Sequence, residues 1–152
     1  MKKEVLPFFY KDLQESYIND IEETPTNVLE NANKTILCTS TCIIEKESAC
    51  IKILQAQDEG SYTPDIDTLF ISANTLSNEF NICAILLTGI GADGVKGLKL
   101  LKENGAYTIA ESKASAPVFG MPRSAIDADA VCSIKSLDEI ITFLDQEGYI
   151  DV

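Results

Sequence analysis

Residues 82–110, ICAILLTGIGADGVKGLKLLKENGAYTIA, decide the fold class of this chain. The stretch opens with a continuous apolar run, residues 82–87, which is typical of a strand buried on both faces of a parallel sheet. A glycine-rich turn follows, and Val95–Glu103 then repeats apolar residues at helical spacing. Gly105 stops that helix, and residues 107–110 form a second strand. The order of strand, turn, helix and strand predicts a βαβ unit.

The residues that follow extend the same alternation. Residues 122–126 suit a short helix with proline in its first turn, and residues 130–134 suit a strand. Ser136 and Glu139 have the spacing of a capping box at the start of a last helix, which Gly148 ends. The second half therefore predicts an α/β fold with a doubly wound, mostly parallel sheet.

The first half is less regular but contains recognisable runs. Two strand-forming runs, KTILCTST and ACIKIL, flank the charged residues 45–48, so residues 34–54 predict an antiparallel hairpin. The other elements predicted in this half are an amphipathic helix over residues 6–20, a loop over 22–34, a loop over 56–64 and a helix over 65–77. No long linker interrupts the chain, so we expect a single domain over residues 1–152.

Composition excludes several classes of function. The chain has a net charge of −12, which disfavours nucleic acid and anionic membrane surfaces as partners. It has no apolar run near the roughly 18 residues of a membrane span, and its N-terminus does not resemble a signal peptide. We therefore expect a cytoplasmic protein with no direct membrane insertion.

The titratable residues restrict the chemistry further. The chain has no histidine, which removes the commonest general base and the commonest metal ligand. Five cysteines without a secretion signal fit reduced thiols. Cys38, Cys42 and Cys50 have no zinc-binding spacing, so we interpret them as buried core residues. No metal and no cofactor is expected.

The turn Gly89–Gly94 is the first candidate site, and it allows three interpretations. It satisfies the dinucleotide pattern G-x-G-x-x-G, with Glu111 twenty residues beyond Gly91. However, a carboxylate of Asp93 about 4 Å from a phosphate would be repelled by roughly 4 kcal/mol at an effective dielectric near 20. Asp93 could instead cap the following helix. The three glycines favour a turn that keeps backbone N–H groups close to a ligand.

A second candidate loop, residues 114–123, follows the next strand and so lies at the same edge of the sheet. It is apolar for a surface loop. Phe119 and Met121 either plug the end of the sheet or wall a site for a small apolar group. The lysines of the helix after the turn and the acids of the last helix are interpreted as solvated faces: Lys96, Lys99, Lys102, Asp138, Glu139, Asp145 and Glu147.

Taken together, the two loops resemble one protein family. ILLTGIGADGVKGLKLLKENGAYTIAESKASAPVFGMPRSAI, residues 85–126, is similar to the catalytic domain of chemotaxis protein-glutamate methylesterases (CheB). The motifs that match are LTGIGADG, the aromatic-TIA strand, the alternating Ala-Ser pair and FGMPR. Residues 64–70 resemble the segment that precedes this strand in the family, whereas residues 1–62 match in pattern only.

The resemblance implies a Rossmann-like domain that hydrolyses glutamate methyl esters, and in many members deamidates glutamine, on the cytoplasmic helical region of methyl-accepting chemotaxis receptors. It implies a Ser-His-Asp triad whose aspartate is Asp93. The backbone N–H of Ile90, where the family usually has Met, would donate to the oxyanion. The loop Phe119, Gly120, Met121 and Pro122 would contact substrate. No cofactor is implied.

The sequence also departs from the family. It contains neither the G-x-S-x-G-G loop of the serine nor the Gln-His-Met of the histidine. Residues 1–13 align with the family's residues immediately after that histidine, so we expect a chain that begins after it and that has no receiver domain. Such a chain would be inactive alone. A receptor-binding relative without catalysis is the alternative.

Overall fold

A computed structural model describes residues 11, 21–23, 26–29, 35–48, 50–56 and 64–147. The chain divides into two compact units between Leu76 and Ser77. Each unit is described by itself below. The expectation of a single domain over residues 1–152 stays a prediction.

The first unit contains short strands and one helix. Its elements are β1 (Ile21–Glu23), β2 (Thr26–Leu29), β3 (Thr35–Leu37), β4 (Cys42–Glu47), β5 (Cys50–Gln55) and α1 (Ile66–Asn74). β1 and β3 pair in parallel, whereas β2, β5 and β4 form an antiparallel sheet with β5 in the middle. β4 and β5 are consecutive and antiparallel, so an antiparallel hairpin is confirmed. Its first strand is Cys42–Glu47 and not the predicted run KTILCTST, of which Thr35–Leu37 form β3 and pair with β1.

Helix α1 is fixed at its start and along its length by side-chain hydrogen bonds. Asp65 is the N-cap, and its carboxylate accepts from the N–H of Thr68 at 2.9 Å. The hydroxyl of Thr41 accepts from the N–H of Asp65 at 3.0 Å. The hydroxyl of Ser72 accepts from the N–H of Ile44 at 2.9 Å, which ties the helix to β4. The helix predicted over residues 65–77 is confirmed, and it ends three residues early.

Two predictions for the first unit are wrong in detail. The hairpin turn was placed at residues 45–48, but Glu45, Lys46 and Glu47 belong to β4, where their side chains are exposed. A solvated strand face tolerates charge, which is why a charged run need not be a turn. Residues 22–34 were expected to form a loop, yet they contribute to β1 and supply β2. Pairing with β3 and β5 stabilises these short segments.

The second unit is a parallel sheet with helices packed on it. Its elements are β6 (Cys83–Leu86), α2 (Val95–Glu103), β7 (Tyr107–Glu111), α3 (Met121–Asp127), β8 (Ser133–Lys135) and α4 (Leu137–Gln146). The strand order is β6-β7-β8, all parallel. Helices α2 and α3 pack on β6 and β7, and α4 packs on β8. The predicted α/β fold with a parallel sheet and a separate hairpin is confirmed.

The core of this unit lies between the sheet and its helices. Its fully buried side chains include Leu86, Leu98, Leu101 and Ile109. Gly105 has a φ of 90° directly after α2, so the predicted helix stop is confirmed. The capping box of α4 is confirmed too: the N–H and the hydroxyl of Ser136 donate to the Glu139 carboxylate at 2.7 and 2.8 Å.

Three details of the second unit differ from expectation. β6 is not buried on both faces: Ala84 and Leu86 are buried, but the alternate residues are only half-buried. β8 covers residues 133–135 instead of 130–134. Lys102 is not part of a purely solvated stripe, because its ammonium donates to the Asp129 carboxylate at 2.8 Å and to the Asp129 carbonyl at 3.0 Å. That pair lowers the pKa of Asp129 below its ordinary value.

Some expectations fall outside the described residues, namely nearly all of the helix over 6–20, most of the loop over 56–64, and Gly148. The cysteine interpretation is only partly correct: Cys42 is buried, whereas Cys38 and Cys50 are half-buried. None of the described helices is long and apolar enough to cross a membrane.

Candidate active site

Two loops meet at the carboxyl edge of the parallel sheet, where ligands bind in open α/β sheets. The turn Gly89–Gly94 follows β6, and the loop of residues 114–120 follows β7. The carbonyl of Gly89 accepts hydrogen bonds from the N–H groups of Gly120 at 3.1 Å and Met121 at 2.8 Å. The N–H of Gly89 donates to the carbonyl of Val118 at 3.0 Å. The structure thus brings together the two loops that the sequence singled out.

The close approach of these loops requires glycine at position 120 and limits the space for a side chain at position 89. An added Cβ on Gly120 would lie 2.6 Å from the carbonyl oxygen of Gly89 and 3.2 Å from the nitrogen of Gly91. An added Cβ on Gly89 would overlap the sulfur of Met121. A side chain on Gly120 would therefore separate the two backbones, whereas one on Gly89 would have to displace the flexible side chain of Met121. Neither glycine has a positive φ, so glycine serves close packing at these two positions.

Side-chain hydroxyls reinforce the same contact. The hydroxyl of Thr88 donates to the carbonyl of Val118 at 3.1 Å and accepts from its N–H at 2.9 Å. The hydroxyl of Ser124, in the first turn of α3, lies 3.2 Å from the carbonyl of Gly91 and 3.0 Å from that of Gly120. Sequence reasoning missed Thr88 and Ser124. The sequence pattern that points to them is a polar residue shortly after a predicted strand, for Thr88, and a polar residue in the first turn of a predicted helix, for Ser124.

Glu111 ends β7 beneath these loops and is 2% exposed. One carboxylate oxygen accepts from the N–H of Thr88 at 2.9 Å, and the other accepts from the hydroxyl of Ser115 at 2.9 Å. The Ser115 oxygen in turn accepts from the N–H of Leu137 at 3.0 Å. Because Glu111 is buried and both of its oxygens accept hydrogen bonds inside the protein, its carboxylate is not presented to a ribose. This geometry argues against the dinucleotide interpretation of Gly89–Gly94.

Asp93 lies in the turn, two residues before α2. The N-cap of α2 is Gly94, with a φ of 83°, so Asp93 lies one position before the N-cap. Asp93 is half-buried. Ile90, three residues earlier, has a side chain that is 82% exposed. Among the described residues no acceptor is hydrogen-bonded to the N–H of Ile90.

The four residues of the loop that were expected to contact substrate have different environments. Pro122 is fully buried, so its side chain offers no surface to a substrate. Gly120 and Met121 pack against the turn at Gly89. Phe119 is half-buried and forms an isolated parallel bridge with Gly89. The exposed apolar side chains nearest in sequence to these contacts are Leu87, Ile90 and Val118.

The described residues do not form a metal centre. Within the described part of the chain, no three His, Cys, Asp or Glu residues cluster as metal ligands. The turn instead presents backbone N–H groups and a carboxylate at the edge of a parallel sheet. These elements define an α/β domain with a ligand edge built from two interlocked loops.

Comparison with known proteins identifies that domain. The CheB methylesterase family profile matches residues 11–144. The chain therefore belongs to the CheB methylesterase family, which confirms the resemblance noted in its sequence.

Curated relatives agree with this assignment. The protein-glutamate methylesterase/protein-glutamine glutaminase of Escherichia coli (strain K12) is 37% identical over 90 residues, which are 59% of this chain and 26% of that protein. A second relative of that name, from Carboxydothermus hydrogenoformans, is 43% identical over 82 residues, which are 54% of this chain and 23% of that protein. The matches thus span about a quarter of the relatives' length.

The fold agrees as well. The crystal structure of the Thermotoga maritima CheB methylesterase catalytic domain superimposes with a TM-score of 0.70 and 23% sequence identity, covering 83% of this chain and 68% of that one. This likeness confirms the Rossmann-like architecture.

Proposed function

We propose that this chain takes part in hydrolysing glutamate methyl esters, and in deamidating glutamines, on methyl-accepting chemotaxis receptors during adaptation in the cytoplasm. The observation that supports this most is the backbone contact of Gly89 with Gly120 and Met121. It joins, at one ligand edge, the two motifs by which the chain resembles the family. The names of the curated relatives support the same reaction.

In this proposal Asp93 is the orienting carboxylate of a Ser-His-Asp triad. The serine attacks the ester carbonyl and the histidine accepts its proton, while the aspartate holds the imidazole in the correct tautomer and stabilises its cation. As the C–O bond of the tetrahedral intermediate breaks, the imidazolium protonates the methoxide leaving group, which departs as methanol, and water hydrolyses the acyl-enzyme by the same route. Because the sequence has no histidine and no G-x-S-x-G-G loop, the histidine and the serine of the triad must come from residues outside it.

The oxyanion of the tetrahedral intermediate would be held by the N–H of Ile90. Three observations support this assignment: the N–H has no acceptor among the described residues, the turn is fixed on both sides, and the position follows a strand end. A preorganised donor of this kind typically contributes roughly 2.7–4 kcal/mol to transition-state binding. Substituting Ile for the usual Met leaves the backbone donor in place.

Phe119 would form the apolar wall against the ester methyl and the glutamate stem. It lies beside the turn through its bridge with Gly89. Gly120, Met121 and Pro122 would act indirectly, since they hold this loop against the turn.

A second function, receptor binding without catalysis, is favoured by the lack of any histidine in the chain. In that case Gly89–Gly94 and the loop of residues 114–120 would serve as a docking edge. The two functions differ in one measurable property, the release of methanol from methylated receptor.

The test compares the chain alone with the chain joined to a segment that carries the G-x-S-x-G-G and Gln-His-Met motifs of the family. We expect background methanol release from the chain alone and turnover from the joined protein. Asp93→Asn should lower kcat of the joined protein by about 10⁴, as for a triad aspartate. Asp145→Asn, a substitution on α4 far along the chain from both loops, is the matched control and should retain activity.

Two outcomes would contradict the proposal. If Asp93→Asn retained full turnover, Asp93 would not be the orienting residue. If the joined protein bound methylated receptor but released no methanol, the receptor-binding function would be favoured instead.

A further inference from the structure

We propose that Glu111 is a positioning residue that holds the Gly89–Ile90 turn and the Val118–Met121 loop in their mutual geometry. The effect of this positioning on catalysis rests on the function proposed above, in which the N–H of Ile90 donates to the oxyanion. The positioning itself depends only on contacts among the described residues of the second unit.

The first step is the burial of the Glu111 carboxylate. A carboxylate taken out of water is unfavourable unless hydrogen-bond donors satisfy its oxygens. Here the N–H of Thr88 and the hydroxyl of Ser115 each donate to one oxygen at 2.9 Å. A hydrogen bond to a charged acceptor is stronger than one between neutral groups. Glu111 therefore fixes the backbone of Thr88 at the point where β6 ends.

The second step runs from Thr88 to the other loop. The single hydroxyl of Thr88 donates to the carbonyl of Val118 and accepts from its N–H, so it binds both backbone groups of one residue. This arrangement specifies the position of Val118 relative to the strand end. A shift of Thr88 would displace both bonds together.

The third step returns to the turn. The carbonyl of Val118 also accepts from the N–H of Gly89, and the carbonyl of Gly89 accepts from Gly120 and Met121. The same planar peptide unit carries the N–H of Ile90. Glu111 thus controls the direction of that N–H through Thr88 and Val118, without touching the reacting atoms.

Ser115 gives a matched control within the same network. Its hydroxyl uses the other oxygen of Glu111 and accepts from the N–H of Leu137 at the start of α4. Removing it leaves the bond from Thr88 to Glu111 intact. Ser115→Ala should therefore disturb α4 and leave the contact between the two loops unchanged.

The experiment is amide hydrogen exchange on the full 152-residue chain, read at single residues by NMR. Glu111→Leu removes both acceptors, and we expect exchange at Gly89, Gly120 and Met121 to quicken at least about tenfold. Exchange at Leu98, whose N–H donates to the carbonyl of Gly94 in α2, should stay within about twofold of the parent.

The conservative variant should rescue the geometry. In Glu111→Gln the amide carbonyl can accept from Thr88, and the amide nitrogen can donate to the Ser115 oxygen, which has two acceptor lone pairs. We expect the amides of Gly120 and Met121 to exchange at the same rate as in the parent protein, both in Glu111→Gln and in Ser115→Ala. Thr88→Val breaks only the bonds to Val118 and should reproduce the quickening seen in Glu111→Leu.

The proposal is overturned if Glu111→Leu quickens exchange uniformly through the unit, or leaves the loop amides unchanged. If Glu111→Leu does not fold, Thr88→Val decides: parental exchange at Gly120 and Met121 would overturn the proposal.

Kinetics supply a second readout in the joined protein described above. Glu111→Leu should lower kcat at least about tenfold with KM within about twofold, because a transition-state donor is displaced. If Glu111→Leu instead raised KM and left kcat unchanged, the link between Glu111 and the oxyanion donor would be overturned. An inactive parent would count against the proposed function, while the exchange data would still test the positioning.

Discussion

The sulfur of Met121 occupies the space in which a Cβ on Gly89 would lie, while the N–H of Met121 donates to the carbonyl of Gly89 at 2.8 Å. Gly89→Ala should therefore displace the side chain of Met121 and lower the free energy of unfolding by about 1–3 kcal/mol. Chemical denaturation measures the change. In a Met121→Ala background the same substitution should cost less, and equal cost in both backgrounds would contradict the contact.

Ser112 follows β7, and its hydroxyl oxygen is buried without a hydrogen-bond partner among the described residues. Ser112→Ala removes this unsatisfied group and should raise the free energy of unfolding by about 1 kcal/mol. Ser115→Ala is the control, since that hydroxyl is bonded to Glu111 and Leu137 and its loss should destabilise. A destabilised Ser112→Ala protein would show that the hydroxyl has a partner.

The capping box of α4 should make stability depend on pH. Hydrogen bonds from the backbone and then the hydroxyl of Ser136 hold the pKa of Glu139 below its ordinary value of 4.5. A lowered folded-state pKa means that this contribution is full above pH 4.5 and is lost as the pH falls through the lowered pKa. Denaturation of the parent protein and of Glu139→Gln between roughly pH 6 and pH 3 measures how much Glu139 contributes to the pH dependence of the free energy of unfolding. Equal acid sensitivity of the two proteins would refute the assignment.

The cysteines should differ in their reaction with alkylating reagents. Burial, together with the neighbouring Cys42, raises the pKa of Cys38 to about 12, and burial also raises the pKa of Cys83. Cys132 is exposed. Because the thiolate is the nucleophile, iodoacetamide at about pH 8 should modify Cys132 before Cys38 and Cys83. Peptide mass spectrometry gives the order, and modification of Cys38 ahead of Cys132 would contradict its raised pKa.

The second unit could be predicted from the sequence because its signals are local. Val95–Glu103 has helical periodicity, and Gly105 stops it with a positive φ. Ser136 and Glu139 form the expected capping box within four residues of each other. Apolar runs alternate with these helices, which is enough to give a parallel sheet.

The errors come from contacts that local patterns do not encode. The charged residues Glu45–Glu47 resemble a turn in the sequence. In the structure they form the exposed end of β4 and pair with β5. Glu111 looks like a ribose ligand by spacing, yet it is satisfied by Thr88 and by Ser115. The contact between Gly89 and Gly120 joins residues about thirty positions apart: the parallel topology predicts that their loops share one edge of the sheet, but no local pattern predicts the hydrogen bonds between them.

Main-chain atoms and glycines form most of the contact between the two loops, whereas the side chains of Ile90 and Val118 are 82% and 42% exposed. The atoms that hold this edge together are therefore different from the side chains that it exposes to solvent. A saturation library at these two positions would vary the surface that a bound polypeptide meets, with little cost in folding. Such positions are natural starting points for changing what this edge binds by directed evolution.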